Sequence, residues 1–142
     1  MILESINKHW AWTGIVAEEI ISVSDFGNVI FKSSTGDYWR ICPEELYCKA
    51  IADNDGELET AMKDSEFLES WEMAEHLQVA KAKMGKLNVG EKYSLKLPVI
   101  FGGEYSEENF GTILHIDQIA YAGQMTEKID DLPDGTKIEF NV

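Results

Sequence analysis

The chain has 142 residues, 44% of them hydrophobic and 11% aromatic, which predicts one globular domain with a real core and excludes the disordered class. Twelve basic against 26 acidic residues give a net charge of −14, a balance that repels nucleic acid and anionic membranes and suits a basic partner. No apolar run approaches the roughly 20 residues a membrane span needs, and Met1–Lys8 lacks the pattern of an export signal, so a cytoplasmic protein is expected.

In chain order, Ile2, Leu3, Ile6 and Trp10 recur at helical spacing and predict a short helix within Met1–Trp12, ended by Thr13-Gly14. Ile15–Val23 is apolar and β-branched but broken by Glu18-Glu19, leaving helix and strand both open. Phe26–Phe31 and Tyr38–Cys42 read as a hairpin around the turn residues Ser33–Asp37, and Leu46–Ile51 as a further short strand. Glu57–Met62 allows one or two helical turns. Asp64 is then the predicted N-cap of a long helix with Phe67, Trp71, Ala74 and Leu77 on one face and Glu69, Glu72 and His76 on the other. Lysines 81, 83 and 86 crowd its end, and Gly85 stops it.

Leu87–Phe110 is the stretch around which the chain is organised. Tyr93–Leu97 alternates as a half-buried strand, Pro98 ends it, and Val99-Ile100-Phe101 runs into the pair Gly102-Gly103, where a close backbone approach or a positive φ is expected. The acidic Glu104–Asn109 follows. Ile113–Ile129 has a helical period interrupted by Gly123, Leu132-Pro133-Asp134-Gly135 is a turn, and Thr136–Phe140 alternates as a last strand. The fold class expected is α+β: a single domain over residues 1–142, with antiparallel strands and hairpins packed against a long central helix and a C-terminal helix.

Chemistry is sparse. Glu72 and His76 stand four apart on a helix but have no third metal ligand, and His115 and Asp117, two apart, would not face each other. Asp53-Asn54-Asp55-Gly56 fails as a calcium loop, because Ile51 and Met62 occupy positions that need acids. No phosphate loop or G-x-S-x-G serine occurs. Cys42 and Cys48 fit no zinc or redox spacing and read as two reduced thiols. No enzyme, metal or cofactor is expected. Trp71 belongs in the core, whereas Trp12, Tyr38 and Tyr105 are expected to be partly exposed among acids, as interface anchors are. The charge is also uneven: Asp53–Glu75 holds nine acids against Lys63 alone, so this segment supplies −8 of the −14, although net charge also serves solubility.

The pieces G-D-Y-W-R-I-C-P-E-E-L at Gly36–Leu46, F-L-E-S-W at Phe67–Trp71, M-G-K-L-N-V-G-E-K-Y-S-L-K-L-P at Met84–Pro98 and I-F-G-G-E-Y-S-E-E-N-F at Ile100–Phe110 together resemble one family. It is the Tdi-type immunity domain of bacterial type VI secretion systems, and the likeness runs from about Gly27 to the end of the chain. Its features here are Gly85, Leu87, Gly90, Glu91, Tyr93, Pro98, Gly102, Gly103 and Asn109. Larger relatives carry a GAD-like domain in front, for which this chain has no room. The resemblance implies a cytoplasmic antidote that binds a cognate toxin, often a DNase, with no catalytic residue. The expected partner is therefore a basic toxin, with no nucleic acid and no membrane. Candidate contact residues are Tyr38, Gly102, Gly103, Glu104, Tyr105, Glu107, Glu108 and Asn109. The alternatives are an immunity protein against a non-nuclease toxin, and a regulatory module that binds a small molecule or peptide near Gly102-Gly103.

Overall fold

A computed structural model describes residues 1–130. The turn expected at Leu132–Gly135 and the strand expected at Thr136–Phe140 lie outside the described residues. Helix α1 (Ile2–His9) is followed by a 3-10 turn, Ala11–Thr13. Four strands then form an antiparallel meander, β1 (Ala17–Val23), β2 (Val29–Ser33), β3 (Tyr38–Cys42) and β4 (Tyr47–Ala52), in spatial order β1-β2-β3-β4. Three helices follow, α2 (Asp55–Ala61), α3 (Ser65–Glu72) and α4 (Ala74–Met84). A two-stranded antiparallel ribbon, β5 (Glu91–Leu95) with β6 (Phe110–Leu114), leads into α5 (His115–Asp130). The α+β class and the antiparallel strands agree with the sequence.

Two cores hold these elements. Ile6 and Trp10 from the N-terminal segment, Val29, Phe31 and Ile41 from the sheet, and Ile119 and Ala122 from α5 form the first. Phe26, Ala80, Tyr93 and Phe110 form the second, between the sheet, α4 and the ribbon. The N-terminal segment is also tied to α5 by side-chain donors. Ser5 Oγ reaches the carbonyl of Ile116 (3.1 Å), Trp10 Nε1 that of Ile119 (3.1 Å) and Trp12 Nε1 that of Gly123 (3.2 Å), three positions spaced along one face of the helix. At Gly123 the backbones come so close that a Cβ would lie 2.5 Å from the carbonyl oxygen of His9. The glycine that weakens the helical signal is thus what lets α1 and α5 touch.

The ambiguity of Ile15–Val23 resolves as a strand, since Ala17 to Val23 pairs with β2 through two register shifts. The long central helix is two helices. Asp64 does cap its start, accepting the N–H of Phe67 at 3.0 Å, and Gly85 does close its end. Between them Met73 takes a left-handed conformation, φ 45° and ψ 50°, with no glycine or proline to announce it. The break serves two different packing tasks. Trp71, buried as expected, stacks on Phe67 over the sheet, whereas Leu77 and Ala80 on α4 face the Phe26–Phe110 core. One straight helix cannot do both, and packing outweighs the roughly 1–2 kcal/mol of a left-handed residue.

The expected strand Tyr93–Leu97 runs instead from Glu91 to Leu95. Beyond it Asn109 takes over: its carbonyl accepts Lys96 N–H (2.8 Å), its side-chain oxygen accepts Leu97 N–H (2.9 Å), and its amide donates to the carbonyls of Leu97 (3.0 Å) and Glu104 (2.9 Å). Gly103 fits beneath this staple, because a Cβ there would stand 1.8 Å from the carbonyl oxygen of Leu97.

Candidate functional site

The site grows from a buried arginine on β3. Arg40 is only 6% exposed and cannot lose its charge, so its donors must be met inside the protein. Its Nε donates to Asn28 Oδ1 at 3.0 Å, and its two terminal nitrogens donate to Ser70 Oγ (2.9 Å) and the Ser70 carbonyl (3.2 Å) on α3. The guanidinium lies over the rings of Phe67 and Trp71, 5.5 and 5.2 Å from their centroids. Asn28, wholly buried, turns its amide nitrogen to both carboxylate oxygens of Glu44 at 2.9 and 3.0 Å. A neutral amide therefore joins a buried cation to a buried carboxylate. Burial pushes the Glu44 carboxyl above its usual range, while the Asn28 hydrogen bond, the thiol of Cys42 and the charge of Arg40 pull the other way.

This anchoring fixes α3 against the sheet and sets the bend at Met73. The bend opens a cleft of about 710 Å³ between β3, the segment after it, α3 and the start of α4. Five glutamates line it, Glu45, Glu66, Glu69, Glu72 and Glu75, against Arg40 as the cationic side chain in its wall. Its aromatic element is a stack of His76 on Tyr105, 4.9 Å between centroids, with His76 edge-on to Phe110. The Tyr105 hydroxyl donates to Glu45 Oε2 at 3.0 Å. Burial and the neighbouring carboxylates raise the pKa of that hydroxyl, so it stays a donor. Among the described residues the direct ion pair is the exposed Lys63–Glu59, which leaves the cleft glutamates without a salt-bridge partner.

The residues chosen from sequence divide into four groups. Tyr105 lines the cleft and is half-buried, as is Trp12. Glu104, Glu107 and Glu108 are exposed on the segment between the ribbon strands, where Lys83 Nζ holds the Glu107 carbonyl. Tyr38 is not exposed as expected; it is 5% exposed, with Lys32 Nζ over its ring at 5.8 Å from the centroid and its hydroxyl bonded to Asp55. Gly103 and Asn109 carry structural work at the corner, and Gly102, at φ 94°, turns the chain there. Sequence reasoning missed Arg40, Glu44, Asn28 and Glu45. The signal available was an arginine between strand apolar residues, Trp39 and Ile41, where a charge needs a buried partner.

Nothing in the arrangement resembles a nucleophile with its base. Burial raises the pKa of both thiols, Cys48 to about 12, so Cys42 and Cys48 are neutral and unreactive. No group of three or more His, Cys, Asp or Glu side chains among the described residues could hold a metal, and no described helix is long and apolar enough to cross a membrane.

Comparison with known proteins found no match among curated proteins. A family model, described as T6SS immunity protein Tdi1, C-terminal, matches residues 52–126, from the last residue of β4 to well inside α5. That segment supplies four of the five cleft glutamates, together with His76 and Tyr105. That match covers more than half of the sequence and shows the family: the chain belongs to the family of the type VI secretion immunity protein Tdi1, a family of toxin inhibitors rather than enzymes.

Proposed function

We propose that this immunity protein neutralises a basic toxin, a nuclease in the favoured reading, by laying its acidic cleft over the cationic surface with which the toxin holds its substrate. The observation that carries this is the cleft itself: five glutamates around a stacked His76–Tyr105 pair, held on a framework that spends its own buried arginine internally. A nuclease must present cations to phosphates, and an acidic surface competes for those cations and speeds encounter. The same surface disfavours nucleic acid as a direct partner. Glu104, Glu107 and Glu108 extend the acidic surface near Tyr105 in sequence and form the outer part of the proposed face, with Gly102, Gly103 and Asn109 holding its shape.

The test is association with the cognate effector at low and high salt. Charge reversal of Glu69, Glu72 and Glu75 should slow association by at least about tenfold at low salt and flatten its salt dependence, with the melting temperature preserved or raised. Reversal of Glu104, Glu107 and Glu108 should give a smaller effect in the same direction. Equal rates for wild type and the cleft variant at both salts would remove the cleft from the interface.

A further inference from the structure

A second cleft, of about 570 Å³, lies away from the acidic one, between the β5–β6 ribbon and α5, and its volume is in the range of small-ligand sites. Its walls are mainly apolar, with Leu95 and Ile113 from the ribbon, Tyr121 and Ala122 from α5 and Met84 from the end of α4. Met84 and Tyr121 stay 37% and 41% exposed, so apolar surface of both is left uncovered at the cleft.

The polar groups that remain open to a ligand are of one kind. The acceptors are already placed elsewhere: both oxygens of Glu44, the one carboxylate among the lining residues, are held by the Asn28 amide, and Gln118 Oε1 packs against Gly27. The donors are not. Ser94 and, just past the end of β5, Lys96 share the ribbon face that carries Gly111 and Ile113 on β6. Ser94 stands directly opposite Gly111, and Lys96 reaches over it diagonally. A Cβ on Gly111 would lie 3.7 Å from Ser94 Oγ and 3.6 and 3.7 Å from Cγ and Cε of Lys96. The absent side chain therefore leaves a niche with a hydroxyl on one side and the root of an ammonium on the other. Neither group has a hydrogen-bond or ion-pair partner among the described residues, although the chain holds 26 acids. An apolar space that offers donors and no free acceptor selects an apolar body with an anionic head.

We propose that this cleft binds a small aliphatic or aryl carboxylate. Its body occupies the space between Met84, Ile113 and Tyr121, and its carboxylate sits over Gly111, accepting from the Lys96 ammonium and the Ser94 hydroxyl. This site is separate from the acidic cleft and does not depend on the toxin reading.

Octanoate, octanol and octylamine, alike in length and different in head group, test it on the full chain without any partner. In methyl-labelled protein, octanoate should shift the resonances of Met84, Leu95 and Ile113 and bind at least about tenfold more tightly than octanol, the least that a charged hydrogen bond supplies. Octylamine should bind most weakly. A net charge of −14 repels anions at long range, so a preference for octanoate has to come from the cleft itself. Lys96 is exposed, so its variants keep the fold. Lys96→Met retains the stem and should bring octanoate down to the affinity of octanol while leaving octanol unchanged, and Lys96→Arg should restore the preference. Absence of shifts with octanoate, equal binding of octanoate and octanol, or a preference for octanoate that survives Lys96→Met would each overturn the proposal. Tighter binding of octylamine would do so as well, because the overall charge of the protein, and not Lys96, would then govern the cleft.

Discussion

Replacing Arg40 by methionine asks whether the buried charges feel each other through Asn28. Methionine keeps an apolar stem beneath Phe67 and Trp71 but removes the donors to Asn28 and to both oxygens of Ser70. Removing one partner of a buried ion pair costs about 3–5 kcal/mol, and the intervening amide lengthens the separation, so about 3 kcal/mol is expected at neutral pH. The pH dependence is the sharper test. Burial raises the Glu44 carboxyl in the folded protein, so the folded state binds a proton more readily than the unfolded chain. Its favourable contribution is present below the ordinary carboxyl value of 4.5 and is lost as pH rises through the raised folded value. Arg40 pulls that value down, so its loss raises it further and enlarges the penalty at neutral pH. Urea unfolding of wild type and Arg40→Met, followed by tryptophan fluorescence, should give a difference of about 3 kcal/mol at about pH 7.5, shrinking to about 1–2 kcal/mol at about pH 5, where lost hydrogen bonds remain. A difference that is the same at both pH values would show that Glu44 does not sense Arg40, and a difference under about 1 kcal/mol would refute the buried-pair account altogether.

Gly123→Ala should destabilise the protein by about 1–3 kcal/mol, read as a lower urea midpoint, because the new methyl would meet the His9 carbonyl at 2.5 Å and α1 would have to shift. His115, buried, donates from Nε2 to the Gly27 carbonyl (2.9 Å); burial lowers its pKa, the Gly27 bond opposes, and Lys92 adds to the lowering. The folded state therefore resists protonation, and stability that is full above the ordinary value of 6.5 should fall as pH drops below it; His115→Gln should flatten that fall in melts between about pH 7 and about pH 5.

Much of the fold was legible because local chemistry agreed with it. The β2–β3 hairpin follows its turn residues: Asp37 Oδ1 collects Thr35 Oγ1 and Trp39 Nε1, both at 3.0 Å, and the Ser33 hydroxyl. The cap at Asp64 and the corner at Gly102-Gly103 were likewise visible as single residues with one physical job. What was hidden is what two distant segments decide together. The apolar face of Phe67, Trp71, Ala74 and Leu77 reads as one helix because its spacing is unbroken, and only the separate packing of Phe67 and Trp71 against Arg40 and of Leu77 and Ala80 against the Phe26–Phe110 core forces Met73 out of it. The acidic density in Asp53–Glu75 was plain, but the gathering of its last four acids, Glu66, Glu69, Glu72 and Glu75, with Glu45 and Tyr105 around a cleft depends on that bend and on Arg40 holding α3 to the sheet.

The bend also changes how the acids themselves are to be understood. On one continuous helix, glutamates at the start and lysines at the end both complement the macrodipole. With the break at Met73, α3 has its own C-terminus, and Glu69 and Glu72 crowd its last turn with no basic residue there. That is the sign a helix end disfavours, by about 0.3–1 kcal/mol for each charge near it. Mutual repulsion with Glu66 and Glu75 across the same cleft adds to the cost. Solubility does not require charge at these positions, since it is indifferent to which end of a helix carries it. A local rule broken repeatedly at one place, without an internal partner to offset it, is the pattern of a surface kept for something outside the chain. On the proposed reading, a cationic toxin surface would supply at Glu69 and Glu72 the counter-charge that the helix lacks, so binding would be favoured by the same term that makes the free protein locally unfavourable.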